Sequence, residues 1–348
     1  QGKIEGEFVI PFDVDGNIGN DYGFSGKILD ASIKITKEFH IKNLTTEINH
    51  TKDNAANIFN IKINKGSLLE FDLTDSILKF KRENSETEIK SLLRTNGKFD
   101  FSKIKKISSL LNLNINNIQD LEGKADLNTN IDLILNNKYR IKKLYYSIDG
   151  AIPYTKIYFK EKKIIKKYLP NYNDLIEIKD SKIKVFKTDS NNKIELNGLM
   201  KINKEFDSFD LKQIYNYKNN FFDIIGRVEL TNSKINIPKL NYNKVGKKKS
   251  EINFNINFIL NNYLNIKELV FISDKTKIDI SKLKLNKNFE INDFEKFEIK
   301  TFKEGYMNNN FSVNKTNKVK ILGELFDVQP LLKSLFKKDE RKTFSKKF

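Results

Sequence analysis

Residues 127–137 read LNTNIDLILNN, an alternation of apolar and polar side chains that ends in two asparagines. Residues 254–262 repeat the pattern as FNINFILNN. Successive side chains of a β-strand point to opposite faces of the sheet, so each copy predicts a strand with one apolar and one polar face. A second amphipathic segment follows each copy, at residues 141–144 and 266–269, and we therefore expect two related hairpins near residues 121–150 and 248–273.

The same alternation recurs along most of the chain, in short segments rich in Ile and Phe that are bounded by Asn, Asp, Gly and Ser. A slip of one residue would send every apolar side chain of a strand into water, so the pattern specifies the register. We expect a mainly β fold: an elongated, curled, trough-like antiparallel sheet with a few short helices. No Pro- or Gly-rich linker divides the chain, which predicts one elongated repetitive region over residues 1–348 with a frayed basic tail at 337–348.

Glycines recur at strand starts, each preceded two positions earlier by an apolar residue. Glycine inside a strand marks a bulge, a bend or a close approach of another group to the backbone. Because glycine recurs at this position, we expect one of these backbone features at several strands of the sheet. The glycines are Gly6, Gly26, Gly123, Gly198, Gly226 and Gly323.

Three segments have apolar side chains at helical spacing. Ser102 is the expected N-cap of a helix over residues 103–111, and residues 207–217 form a second candidate. Asp327 is the expected cap of a third helix, whose apolar side chains are Leu331, Leu332, Leu335 and Phe336.

The 348 residues carry 63 Lys and Arg against 45 Asp and Glu, a net charge of +18. A nucleic-acid or anionic-membrane partner would explain this charge, but the lysine clusters are scattered and not concentrated with aromatics on one element. We favour lysines spread over polar strand faces and expect no nucleic-acid partner. The chain has no cysteine and no run of 18 apolar residues, which predicts neither disulfides nor a transmembrane helix.

Catalytic chemistry has few candidates in this sequence. Both histidines, His40 and His50, lie in polar strand-like segments, and we expect them to be exposed and inert. No phosphate loop, dinucleotide fingerprint or zinc-protease motif is present, and no calcium loop of the usual spacing follows the acidic pairs at 13/15 and 72/75. We therefore expect no catalytic residue, no metal site and no cofactor.

The combined pattern resembles the AsmA-like family of bacterial envelope proteins, of the TamB and YhdP type. The repeated glycine strand starts, the hairpin with the LNN turn and residues 321–332, ILGELFDVQPLL, carry the resemblance. It implies a trough-like sheet in the periplasm, anchored in the inner membrane, that moves phospholipids to the outer membrane without catalysis. The chain begins at Gln1 within a strand pattern, and we expect it to be an excerpt of a longer protein whose anchor and targeting segment lie outside it.

On this interpretation the apolar strand faces line a hydrophobic groove for lipid tails. A structural or adhesive β-repeat protein, with the same faces packed into a closed core, is the alternative that the sequence leaves open. The predicted lining residues are Leu127, Ile131, Leu133, Leu135, Phe254, Ile256, Phe258 and Leu260.

Overall fold

The computed structural model describes residues 2–17, 19, 22–34, 38–53, 56–111, 115–161, 163–259, 262–287, 290–333 and 335–336. Strands take up 69% of the chain and helices 7%. Twenty strands belong to one antiparallel sheet, and two more form a small separate sheet. The mainly β fold, the antiparallel sheet and the small number of short helices are thus confirmed.

The chain divides into two compact units, Gln1–Tyr158 with Ile178–Leu196 and Phe159–Glu177 with Asn197–Phe348. The division points fall within the three strands β9 (Ile141–Phe159), β10 (Leu175–Lys187) and β11 (Asn191–Lys201).

Unit 1 is an antiparallel meander in which strands that follow one another along the chain lie side by side. Its other elements are β1 (Lys3–Val9), β2 (Gly23–Lys34), β3 (His40–Asp53), β4 (Ala56–Leu68), β5 (Phe71–Asp72), β6 (Ser76–Glu83), β7 (Glu86–Asp100), α1 (Phe101–Leu111) and β8 (Ile118–Leu135). The pairs run β1–β2, β2–β3, β3–β4, β4–β6, β6–β7 and β7–β8. The two-residue β5 pairs with the last two residues of β4 and with Asn96 of β7.

Unit 2 has the same organisation with one insertion. Its elements are α2 (Lys163–Tyr168), β12 (Phe206–Asn216), β13 (Phe221–Glu229), β14 (Ile235–Ile237), a 3₁₀ helix (Pro238–Leu240), β15 (Tyr242–Lys244), β16 (Ser250–Ile259), β17 (Tyr263–Ser273), β18 (Thr276–Leu285), β19 (Ile291–Asp293), β20 (Lys296–Lys303), β21 (Tyr306–Lys315) and β22 (Val319–Leu325). The β13 strand pairs directly with β16, so the β14–β15 hairpin stands outside the main sheet.

The structure corrects two of the three helix predictions. Helix α1 begins at Phe101, and the backbone N–H of Lys103 donates to Asp100 Oδ1 at 2.9 Å, so Asp100 and not Ser102 is the cap. Residues 207–217 do not form a helix, because they lie in and just after strand β12. The third prediction is confirmed, since residues 329–333 are helical and the N–H of Gln329 donates to Asp327 Oδ1 at 3.0 Å.

Both predicted hairpins are present, as β8–β9 and β16–β17. The first turn is organised by Asn136, whose side-chain Oδ1 accepts hydrogen bonds from the N–H groups of Lys138 at 2.9 Å and Arg140 at 3.0 Å. Asparagine suits a turn because its short side chain can bond the backbone two to four residues further on. The second LNN motif falls partly outside the described residues.

Four of the six recurring glycines lie against a phenylalanine of a neighbouring strand, among them Gly123 and Gly226. Gly123 lies directly opposite Phe99, and Gly226 lies directly opposite Phe254. A Cβ atom placed on Gly123 would lie 2.6 Å from Phe99 Cζ, closer than real Cβ atoms approach. Close approach of another group is thus confirmed, and a register shift between Asn310 and Phe311 also places a bulge next to Gly323.

This packing predicts that Gly123→Ala destabilises unit 1. The added methyl would also meet the Tyr154 carbonyl oxygen at 2.7 Å, so we expect a loss of about 1–3 kcal/mol in the free energy of unfolding, typical of overpacking. Urea denaturation followed by circular dichroism measures it. Gly23→Ala is the control, because its Cβ would meet no atom closer than the His50 carbonyl oxygen at 3.4 Å, and equal losses in both variants would contradict the steric explanation.

Candidate functional site

The predicted lining residues of the first hairpin all lie on one face of β8. Their partners across β7 lie on the same face, and the four β8 side chains are half-buried. The opposite face of the same two strands is mostly charged or polar, as in the pair Lys90 and Asp132. The partner pairs on the apolar side are Leu127–Thr95, Ile131–Ser91, Leu133–Ile89 and Leu135–Thr87.

Strand β16 presents its predicted residues in the same way. Phe254, Ile256 and Phe258 share one face and are half-buried, while Leu260 lies outside the described residues. Their partners come from strands on both sides, so each side chain sits between two neighbours on the apolar face. The partners are Gly226 and Leu269 for Phe254, Ile224 and Ile266 for Ile256, and Phe222 and Leu264 for Phe258.

The registers align these faces into rows that run across the strands. In unit 1 one row crosses seven strands, through Phe8, Phe24, His50, Phe59, Phe80, Ile89 and Leu133. In unit 2 one row crosses eight strands, through Leu211, Gly226, Phe254, Leu269, Ile280, Phe297, Val313 and Ile321. We call these surfaces the apolar face of unit 1 and the apolar face of unit 2. Each unit thus has a continuous apolar surface, which alternation within single strands did not reveal.

Aromatic stacking runs along the rows. The Phe222 ring stacks on Tyr215 with centroids 4.3 Å apart and on Phe258 at 4.7 Å with only 5° between the ring planes. In unit 1 the His50 ring lies 4.5 Å from Phe59, and its Nε2 is 3.1 Å from Asn57 Oδ1. His50 is therefore buried, at 7% exposure, which corrects the expectation of an exposed histidine.

The apolar face of unit 1 is exposed at β1, half-buried around Leu133 and buried at His50 and Ala125. On strand β1 Ile4 and Phe8 are 70% and 73% exposed, and the predicted residues of β8 are half-buried. A buried cluster does form where β2, β3 and β4 meet the β5 region. Its members are Ala31, Leu44, Ile63 and Leu73.

The apolar face of unit 2 is covered at one end. The β14–β15 hairpin lies there, and Tyr242 packs edge-on against Phe271 with ring centroids 6.0 Å apart. The resulting buried cluster consists of Leu230, Ile235, Tyr242, Phe271 and Ile278. The other end of the same face, around Phe222 and Phe258, stays half-buried. We call the hairpin with its 3₁₀ helix the cover.

A buried lysine fixes the cover to the loop that joins it to β13. Lys244 is 1% exposed, and its ammonium donates to the carbonyl oxygens of Leu230 at 2.8 Å, Thr231 at 3.0 Å and Ser233 at 2.7 Å. Burial lowers the pKa of Lys244 to about 8, with the nearby Asp207 carboxylate acting in the opposite direction. Burial also raises the pKa of Asp207, which accepts hydrogen bonds from Asn232.

The polar faces carry neighbouring charges of opposite sign. Lys267 Nζ lies 3.0 Å from Asp223 Oδ1, and Arg227 lies 2.5 Å from Glu251.

Within the described residues no group of three or more His, Asp or Glu side chains is placed to hold a metal ion. Among the same residues no helix is long and apolar enough to span a membrane.

No protein-family model, curated protein or solved structure matches the chain. The two apolar faces are therefore the strongest basis for a functional hypothesis. Of the eight predicted lining residues, the structure places seven on these faces, four in unit 1 and three in unit 2.

The buried Lys244 predicts a pH dependence of stability. Its ordinary pKa of 10.5 falls to about 8 on folding, so between these values the unfolded chain binds a proton that the folded chain lacks. The contribution of Lys244 to the free energy of unfolding therefore rises with pH across this window. Urea denaturation of the wild type and of Lys244→Met at pH 7.5, 9 and 10 isolates the contribution of Lys244, because the other titrating groups are common to both proteins. A difference that stays flat or falls with pH would contradict the assignment.

Proposed function

We propose that the apolar faces bind the acyl chains of phospholipids and that the protein moves these lipids between the inner and outer membranes of a bacterial envelope, without catalysis. The observation that carries the proposal is the alignment of apolar side chains into continuous rows that remain half-exposed over much of both faces. Monomeric soluble proteins rarely expose large contiguous apolar surface, and where they do it commonly marks a binding site.

Burial of an acyl chain supplies the driving force. Each CH₂ group in water costs about 0.8 kcal/mol, so two tails of about 16 carbons cost on the order of 25 kcal/mol. A carrier must keep this surface covered over the whole distance between two membranes. Because hydrophobic burial is non-directional, rows of Ile, Leu and Phe provide that cover without specific polar contacts, and a lipid is free to slide along them.

The sequence resemblance to AsmA-like proteins supports the same proposal and gives it a setting. On this basis the location that we propose is the periplasm, with an anchor in the inner membrane. The partners are then phospholipid tails and the two membranes, and no nucleic acid is involved.

A second candidate is a structural or adhesive β-protein of the envelope, with its apolar surface closed. The cover of unit 2 supports this second candidate at one end of the apolar face, because Tyr242 and Ile235 pack there in a buried cluster. The open remainder of both faces favours the lipid carrier.

Photo-crosslinking in cells tests the proposal. A photoreactive amino acid at position 133 or 258 is expected to capture phospholipid, because Leu133 and Phe258 lie on the open parts of the apolar faces. The matched controls are Asn128 and Asp210, which lie on the polar faces of β8 and β12 and should capture none.

Mass spectrometry of the gently purified protein separates the two candidates. A carrier is expected to retain phospholipid, whereas a closed structural protein would retain none. Absence of lipid from the purified protein, together with equal crosslinking at apolar and polar positions, would refute the carrier.

A further inference from the structure

Apolar side chains occur at a few positions on the polar face of unit 1, and two of them are direct partners. On this face β7 presents charged or polar side chains except at Leu92, and β6 presents lysines and a glutamate except at Ile77. The two exceptions are direct partners across the strands. Two departures from alternation that coincide in one row form a local apolar patch, on the side of the sheet opposite to Leu133.

A cavity of about 640 Å³ lies over this patch. Phe186 of β10 and Tyr145 of β9 complete its apolar lining, and Ile77 and Phe186 are 48% and 44% exposed. The size is within the range of small-molecule sites, about 300–1,000 Å³. The exposed side chains show that the protein leaves this apolar surface uncovered.

Two lysines stand side by side at one edge of the cavity. Lys79 and Lys90 are direct partners across β6 and β7, an arrangement in which like charges repel. Lys90 is balanced by Glu88 at 2.7 Å and by its partner Asp132 on β8. For Lys79, no carboxylate lies within 4 Å among the described residues. A cation is thus left beside an apolar cavity.

The far end of the cavity has charges of both signs, because Lys187 is one of its lining residues and Lys193 Nζ lies 5.8 Å from the Phe186 ring centroid. The Tyr145 hydroxyl donates to Asp189 Oδ2 at 2.6 Å, so a carboxylate already occupies that end. Asn130, the partner of Leu92 on β8, donates to Ser147 at 3.4 Å and adds no charge. Lys193 is itself paired with Glu195 at 2.5 Å, so Lys79 is the cation to which we assign an anionic group.

We propose that this cavity binds a single-chain amphiphile with an anionic head group, of the fatty-acid class. Its chain lies over Ile77, Leu92 and Phe186, and its carboxylate lies at Lys79. The site is on the face opposite to the apolar face of unit 1, so it does not rest on the proposed lipid transport.

Binding of 11-(dansylamino)undecanoate, followed by its fluorescence, tests the site, with oleate and oleyl alcohol as competitors. Leu92→Asn restores the alternation of apolar and polar side chains on β7. It is expected to weaken binding of the probe and of both competitors by about tenfold, because less apolar area is buried. Lys79→Gln is expected to weaken oleate binding by about threefold, which corresponds to the energy of an exposed ion pair, and to leave the affinity for oleyl alcohol unchanged.

Lys81→Gln is the matched control, because Lys81 is on the same face of the same strand and outside the cavity lining. It should leave every affinity unchanged. Equal effects of Lys79→Gln and Lys81→Gln on oleate would overturn the head-group assignment. Wild-type affinity in Leu92→Asn would overturn the site.

Leu133→Asn on the apolar face of unit 1 distinguishes this site from the proposed function. It is expected to leave unchanged the component of dansyl probe binding that Leu92→Asn removes, because Leu133 lies on the opposite face. If probe binding is lost in Leu133→Asn and retained in Leu92→Asn, fatty acids bind the apolar face. The cavity proposal then fails, and the proposed lipid binding stands.

Discussion

Cross-strand register is the constraint on which the rest of this structure depends. Side chains alternate along each strand, so a single apolar face exists only if every neighbouring strand is paired in the matching register. In unit 1 the match is kept from Phe8 on β1 to Leu133 on β8. Each partner pair contributes about 0.2–1 kcal/mol, and the rows repeat along the strands, so many weak contacts together hold one register.

The apolar faces of the sheet are only partly covered by other elements. A sheet in a soluble domain ordinarily buries its apolar face against a second layer. Here the polar faces are charged and open, while the apolar faces have only partial cover, from the β14–β15 hairpin in unit 2 and from local clusters such as the one around Leu44. Surface that a folded chain leaves apolar and half-exposed is where its binding chemistry is to be sought.

Much of this architecture could be predicted from the sequence, because alternation is a local property. The pattern from Leu127 to Leu135 correctly predicted a strand and assigned its side chains to faces. Residues 207–217 were misread because Phe209, Ile214 and Tyr217 fall near helical spacing, although Phe209, Leu211 and Tyr215 alternate and pair with β13. Tertiary pairing decides between two periods that a short segment satisfies equally well.

The non-local features could not be predicted. Which residues stand opposite one another depends on turn lengths and register shifts, so the row through His50 and the pairing of Ile77 with Leu92 exist only in the folded sheet. Burial of His50 and Lys244 depends in the same way on contacts with other elements of the fold. Nothing in the residues around Lys244 signals that three carbonyl groups will surround its ammonium.

The direct pairing of β13 with β16 has a consequence for how such a chain can change in length. Since each long strand bonds only to its neighbours, the segment between these two strands is a side branch, and its loss or replacement would leave the ladder continuous. The same rule allows growth: each hairpin inserted into the meander widens a sheet by about 9–10 Å and needs no redesign of the strands already present. Evolution could thus adjust the span of the protein one hairpin at a time.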